Sequence, residues 1–303
     1  MRSYDYIVLD VFTKEPFGGN PLAVFPDGGS LTTEEMQKIA RELNLSESVF
    51  VMEGVRKAIK KLRIFTPQTE LPMAGHPTIG AAYTLAAEGI LETEEGDNSF
   101  LFEEGVGNIR VNVVKRRDKV EEVWMEQPIA EFGDDMVPRE LAAQLLSLDI
   151  DDLECSLPIQ TVSSGVPFLY IPVKTLAAMD RIQLRMDVWE KAFKQDPNRR
   201  HLFVFTTEVQ QESANVHCRM FAPAMGIQED PATGGASGPL GCYLVKHRVV
   251  EPREEIVIES EQGIEMGRPS RIKIVVTMQG EEIHKVAIAG TCVTMGKGTL
   301  YLP

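Results

Sequence analysis

Glu47 stands between two hydroxyls in Ser46-Glu47-Ser48, directly ahead of the apolar run Val49-Phe50-Val51. A carboxylate pushed toward apolar surroundings loses hydration, which raises its pKa and makes it a better proton shuttle near neutral pH. His76 and Asp230 are each followed by proline and small residues, in His76-Pro77-Thr78-Ile79-Gly80 and Asp230-Pro231-Ala232-Thr233-Gly234. A polar residue, then Pro, then a small apolar run reads as a helix start, with the polar residue as N-cap and Pro first in the helix. Such an end carries about half a positive charge and free N–H groups, so it suits a carboxylate or a developing enolate. Gly75 before His76, and Gly234-Gly235 after Asp230, let a ligand approach the backbone closely. Plainer readings stand beside these. Glu47 can be a solvated strand-entry acid, His76 and Asp230 caps alone, and Asn20 in Gly19-Asn20-Pro21 an ordinary turn.

The same string occurs twice. Arg63-Ile64-Phe65-Thr66-Pro67 leads to His76-Pro77, and Arg219-Met220-Phe221-Ala222-Pro223 leads to Asp230-Pro231. A second pair, Gly19-Asn20-Pro21 and Gly165-Val166-Pro167, each followed by four apolar residues, keeps the same order in both halves. An internal duplication explains both pairs. If the halves face each other, His76 and Asp230 approach one pocket from opposite sides. The halves are placed at 1–120, with about 286–303 added, and at 121–285; the length-based expectation of about 150 residues per domain agrees.

The net charge of −14, from 45 acidic and 31 basic residues, argues against nucleic acid as a partner, because phosphate neutralisation needs clustered Lys and Arg. A small anionic substrate remains compatible, since its pocket can be locally positive. Cys155, Cys218, Cys242 and Cys292 are widely spaced, with no C-x-x-C and no Cys/His cluster, which fits reduced thiols and neither a disulfide frame nor a metal site. The Gly234–Gly238 stretch lacks the G-K-[ST] ending of a phosphate loop. The chain opens on a strand-like run and no apolar stretch reaches the roughly 20 residues that span a bilayer. A cytoplasmic protein without membrane contact is expected.

Strands are expected over 4–12, 22–25, 49–52, 62–65, 100–103, 109–114 and 120–124. In the second half they are expected over 161–162, 168–173, 201–206, 216–221, 256–258, 271–277 and 285–295. Thr32-Thr33-Glu34-Glu35 is a capping box for a helix whose Met36, Ile39, Ala40 and Leu43 share one face. Pro77 to about Leu91 and Pro231 to about Val249 are the two repeat helices. Their Ala/Gly content suggests burial on most sides, as for a central helix wrapped by strands.

Four ordered motifs together carry a resemblance: Phe17-Gly18-Gly19-Asn20-Pro21, Leu45-Ser46-Glu47-Ser48-Val49-Phe50, Met73-Ala74-Gly75-His76-Pro77-Thr78 following Phe65-Thr66-Pro67, and Glu229-Asp230-Pro231-Ala232-Thr233-Gly234. The chain resembles the PhzF-like family of phenazine-biosynthesis isomerases over essentially its whole length. The resemblance implies an α/β (α+β) diaminopimelate epimerase-like fold: two pseudo-symmetric lobes, each a barrel-like sheet around a central helix, with the active site in the cleft between them. It also implies a cofactor-free enzyme with no metal, usually a homodimer. The phenazine enzyme moves a proton on the ring of trans-2,3-dihydro-3-hydroxyanthranilate to give its ketone isomer. By this resemblance Glu47 takes and returns the proton, His76 and Asp230 assist transfer and hold substrate, and Asn20, Gly75 and Gly234 are contacts. Gly235 occupies a substrate-contact position where the family often has Ser, so one hydroxyl is absent. The two facing cysteines of the epimerases proper are missing: Ala74 occupies one such position, and Glu229–Gly235 holds no Cys.

The expected activity is a cofactor-independent proton shift on a small carboxylated ring or enol-type substrate. One base serving two carbons from one face fits a suprafacial shift, whereas inverting a stereocentre needs acid and base on opposite faces. The rivals are a lyase or dehydratase on a related hydroxy acid, and a catalytically silent metabolite-binding protein of the same fold.

Overall fold

The computed structural model describes residues 1–55 and 58–303. Two compact units divide the chain, Met1–Gln127 with Ala287–Pro303, and Pro128–Val286.

The first unit runs β1 (Arg2–Val11), β2 (Asn20–Phe25), α1 (Thr33–Leu43), β3 (Glu47–Glu53), β4 (Lys60–Phe65), β5 (Glu70–Leu71), α2 (Gly75–Ala87), β6 (Gly96–Glu104), β7 (Gly107–Arg116) and β8 (Lys119–Gln127). β1 pairs antiparallel with β2, β2 parallel with β3, and β3 antiparallel with β4. β4 takes β5 antiparallel and β6 parallel, and β6, β7 and β8 form a meander.

The second unit repeats this plan. It holds β9 (Glu131–Met136), α3 (Arg139–Leu146), β10 (Gln160–Ser163), β11 (Pro167–Pro172), α4 (Leu176–Arg181), α5 (Met186–Ala192), β12 (Leu202–Thr206), β13 (Val216–Ala222), β14 (Ile227–Asp230), α6 (Gly234–Lys246), β15 (Glu255–Gln262) and β16 (Ser270–Gln279). β10 to β16 pair in the order and sense of β1 to β7. β17 (Glu282–Gly290) carries the chain across the division, and β18 (Cys292–Leu302) pairs antiparallel with β1 as β9 pairs with β10.

Strand register fixes which residues correspond. Lys61 stands opposite Glu103 across β4 and β6, and His217 opposite Glu261 across β13 and β15, so Glu104 and Gln262 hold the same place. Ile64 faces Leu71, and Met220 faces Asp230. The counterpart of Asp230 is therefore Leu71. The helices match from their first residues, Gly75 and Gly234, which sets Pro72 against Pro231, Thr78 against Ser237 and His76 against Gly235.

This corrects the reading of His76-Pro77 and Asp230-Pro231 as equivalent helix starts. Asp230 is drawn into the ladder opposite Met220 and is not a cap; α6 begins four residues later, after Thr233. Pro77 is the third residue of α2, whose N-cap is Ala74. Both helices also stop earlier than expected, each beside a left-handed residue, Gly89 at φ +70° and Arg248 at φ +55°.

The small residues of the two long helices follow from their surroundings. Every described residue from Gly75 to Ala82 in α2 is buried, against β1, β2, β3, β7 and β8. A Cβ on Gly80 would lie 2.4 Å from Leu22 Cδ2, and one on Gly241 in α6 2.6 Å from Ile274 Cγ2. Ile79 and Leu85 are fully buried, each worth about 1.5–3 kcal/mol relative to exposure. α1 is the one-sided contrast: Thr32 and Glu35 close its capping box, and Met36, Ile39 and Ala40 form its buried face. Among the described residues no helix is long and apolar enough to cross a membrane.

Candidate functional site

In the first unit three elements bring Asn20, Glu47 and His76 together. Asn20 begins β2 opposite Val11, after Gly19 has turned the chain at φ +60°; a Cβ there would sit 2.3 Å from the Val11 carbonyl oxygen. Glu47 begins β3 in parallel register with Leu22. His76 is the second residue of α2, whose N-terminus has no side-chain cap.

All three side chains are buried. His76 Nε2 lies 3.1 Å from Glu47 Oε2, and His76 Nδ1 lies 3.3 Å from Asn20 Nδ2. With Nδ2 facing the ring, Asn20 donates and Nδ1 accepts, so a neutral ring carries its proton on Nε2. Burial pushes the His76 pKa down to about 3, so the ring is neutral. The assembly is a buried carboxyl group beside a neutral imidazole. It can orient Glu47 for proton abstraction and take part in returning the proton.

In the second unit Asp230 is equally buried and held from several sides. Thr233 Oγ1 donates to Asp230 Oδ2 at 2.5 Å. Gln262 Nε2 donates to the Asp230 carbonyl at 2.7 Å and to Thr233 Oγ1 at 3.0 Å, while Gln262 Oε1 accepts from the Thr233 amide at 3.1 Å. Ser237 Oγ donates to the Thr233 carbonyl at 2.9 Å. Gly263 allows the tight packing beneath, since a Cβ there would lie 2.6 Å from the Pro231 carbonyl oxygen. Gly234 is buried at the start of α6, whose N-terminus likewise has no side-chain cap. Gly235 follows, and a Cβ there would meet nothing within 4 Å, so the backbone leaves room for a side chain.

The phenazine biosynthesis-like (PhzC-PhzF) family model matches residues 9–298. The chain belongs to this family. It is 35% identical to a trans-2,3-dihydro-3-hydroxyanthranilate isomerase of Pseudomonas aeruginosa, over 98% of this chain and 99% of that one. It is 38% identical to an uncharacterized isomerase of Clostridium acetobutylicum, over 100% and 99%. Among solved structures, a PhzF-family phenazine biosynthesis protein of Bacillus anthracis superposes with a TM-score of 0.90 at 30% identity, covering all of both chains. A probable proline racemase of Agrobacterium radiobacter, 13% identical with a TM-score of 0.67 over 99% of this chain and 93% of that one, shares the fold alone. The protein is thus an isomerase of the diaminopimelate epimerase-like fold.

Thr233 and Gln262 were not singled out from sequence as parts of the site. Thr233 lay in view, within the Asp-Pro motif. Gln262 lies 32 residues beyond Asp230 on another strand, and its only local signal is the glycine that follows it.

Proposed function

We propose that this isomerase moves a proton within a small carboxylated ring or enol-type substrate of the trans-2,3-dihydro-3-hydroxyanthranilate kind, with Glu47 as the proton carrier. The Glu47 carboxylate removes a proton from carbon, becoming a carboxylic acid and leaving the electron pair delocalised over the adjacent unsaturated system. It then returns that proton to another carbon of the same system, and the resulting enol becomes the ketone. Protons and electrons balance within substrate and enzyme. The sequence of steps draws on no external oxidant or reductant.

The observation that carries this reading is the buried cluster of Glu47, His76 and Asn20. His76 Nε2 lies 3.1 Å from Glu47 Oε2, and Asn20 Nδ2 lies 3.3 Å from Nδ1. A neutral imidazole beside the carboxyl group lacks the strong charge pairing that an imidazolium would bring. The roles proposed for Asp230, with Asn20, Gly75, Gly234 and Gly235 as contacts, are assistance to proton transfer and substrate holding. Their support is the Thr233–Gln262 frame around Asp230 and the helix starts at Gly75 and Gly234, where the N-cap residues Ala74 and Thr233 make no side-chain cap. We further propose a homodimer, on the family resemblance.

The reaction is tested by incubating the purified protein with trans-2,3-dihydro-3-hydroxyanthranilate and following it by proton NMR. The ketone isomer is expected. Loss of water to an aromatic product would make the protein a lyase and overturn the proposal, as would an unchanged substrate.

A further inference from the structure

The N-terminal turn of α2 that carries His76 is braced by a buried acid. Thr78 Oγ1 lies 2.6 Å from the Ala74 carbonyl oxygen and 2.5 Å from Glu104 Oε1. Each of these oxygen–oxygen contacts needs a proton, and a hydroxyl has one. The Ala74 carbonyl can only accept, so the Thr78 proton goes there. A proton on Glu104 would then serve the second contact.

The repeat places a comparable side chain at the same point. Glu104 holds the place of Gln262, and Thr78 that of Ser237, which likewise bonds to the carbonyl four residues before it, at 2.9 Å. Gln262 donates from Nε2 to the Asp230 carbonyl and to Thr233 Oγ1, rather than to Ser237, and accepts the Thr233 amide on Oε1. Glu104 receives the amide of Ala74, the counterpart of Thr233. At both places the next residue is a glycine pressed on the corresponding proline: Cβ positions on Gly105 and Gly263 would lie 2.8 Å from Pro72 Cα and 2.9 Å from Pro231 Cα. Val106 completes the brace, its amide donating to the Pro72 carbonyl at 3.2 Å. One half of the duplication uses an amide as its donor. The other has a carboxyl group there, which can donate only while it keeps its proton.

Among the described residues no cation compensates a charge at this position. Lys61 and Arg63 of β4 line the same small cavity as Glu104, but Lys61 pairs with Glu103 at 2.8 Å and Arg63 with Glu70 of β5 at 2.7 Å. α2 contributes His76, which is neutral, and the facing residue of β7 is Gly107. Among the described residues Glu104 Oε2 is buried without a hydrogen-bond partner.

We propose that Glu104 is held as a neutral carboxylic acid that mimics the Gln262 amide and acts as the positioning residue for the Ala74–Thr78 turn and thus for His76. Its importance for turnover rests on the role given to His76 above. Burial, opposed in part by the Thr78 and Ala74 hydrogen bonds, raises its pKa to about 8, in agreement. A carboxyl whose folded pKa is raised from about 4.5 stabilises the fold fully below that value, and this contribution is lost as pH rises through about 8.

The test compares wild type, Glu104→Gln and Glu104→Ala. Unfolding equilibria measured from pH 5 to 9 need no substrate. Between about pH 5 and 8 the wild-type unfolding constant is expected to rise about tenfold per pH unit relative to Glu104→Gln, the linkage of one proton. Infrared spectra of the wild type at pH 7 should contain a protonated-carboxyl band that titrates near pH 8 and is missing from Glu104→Gln. Parallel stability curves, or no such band, would overturn the proposal even if isomerisation is confirmed. In turnover, Glu104→Ala should lose activity, Glu104→Gln should restore it, and the wild-type loss above about pH 8 should be absent from the Gln variant. An unchanged alkaline limb in Glu104→Gln would overturn the positioning role. If wild type turns over no substrate, the function reading fails, while the stability and infrared measurements still decide the state of Glu104.

Discussion

His76 Nε2 faces Glu47 Oε2 at 3.1 Å, and Asn20 Nδ2 faces the opposite nitrogen of the same ring at 3.3 Å. With Nδ2 facing the ring, the asparagine donates to Nδ1, and a neutral ring then carries its proton on Nε2. With the His76 pKa down to about 3, the ring holds no charge over the working pH range, and an acid limb of activity must arise elsewhere.

Replacing Asn20 with Asp turns the donor at Nδ1 into an acceptor. It should move the ring proton to Nδ1 or leave the ring charged, raise the His76 pKa, and lower turnover on the order of 10²-fold. Nitrogen-15 NMR of labelled histidine reads the tautomer directly. An unchanged neutral Nε2–H form in this variant would contradict the assignment.

Gln262→Leu removes a side chain that serves the Asp230 carbonyl, the Thr233 amide and the Thr233 hydroxyl. Each buried polar group left unpaired costs about 1–3 kcal/mol, so denaturant melts should show a loss of at least that size. A variant as stable as wild type would mean that the frame around Asp230 is dispensable.

His217 is clasped by Glu261 at 2.9 Å and Glu265 at 2.8 Å. Burial opposes its charge, but the hydrogen bonds and charges of Glu265 and Glu261 outweigh this and raise its pKa. The Glu265 pKa is lowered: burial works against the charge, and the His217 contact outweighs it. The histidine's contribution is full below its ordinary value near 6.5 and is lost as pH rises through the raised value; that of Glu265 is full above about 4.5 and is lost on acidification. His217→Gln should lower the melting temperature most between about pH 4.5 and 6.5, with the difference shrinking at higher pH. A pH-independent difference would show that His217 is not charged.

All four cysteines are free, and only Cys155 is exposed. Burial raises the thiol pKa of Cys218 to about 12 and that of Cys242 to about 11. Iodoacetamide on the native protein should label Cys155 first and leave isomerisation intact. Inactivation in step with that labelling would point to thiol chemistry instead.

The motifs carried the local parts of this architecture, and longer-range pairing supplied the rest. The capping box at Thr32 and Glu35 depends on neighbours in sequence, and the structure contains it. The two wrapped helices were legible as well, because only small residues tolerate contacts such as Gly80 with Leu22. The start of α6 was not, since whether Asp230 caps a helix or ends a strand depends on β13 lying beside it. The single strand expected over 285–295 is broken at Thr291, whose carbonyl accepts the amides of Phe12 and Thr13, nearly the whole chain away in sequence. Glu47 and His76 stood out by motif; that His76 lies beside both Glu47 and Asn20, and Thr78 beside Glu104, depends on strand register.

The most direct test of the central claim is solvent exchange. Wild type and Glu47→Gln are incubated with trans-2,3-dihydro-3-hydroxyanthranilate in D₂O and followed by proton NMR. Wild type should give the ketone isomer, with deuterium entering at the carbon that receives the proton to the extent that Glu47 exchanges with solvent. Glu47→Gln keeps the shape without the base and should lose turnover by about 10²–10⁴-fold. Full turnover in the Gln variant would contradict Glu47 as the proton carrier.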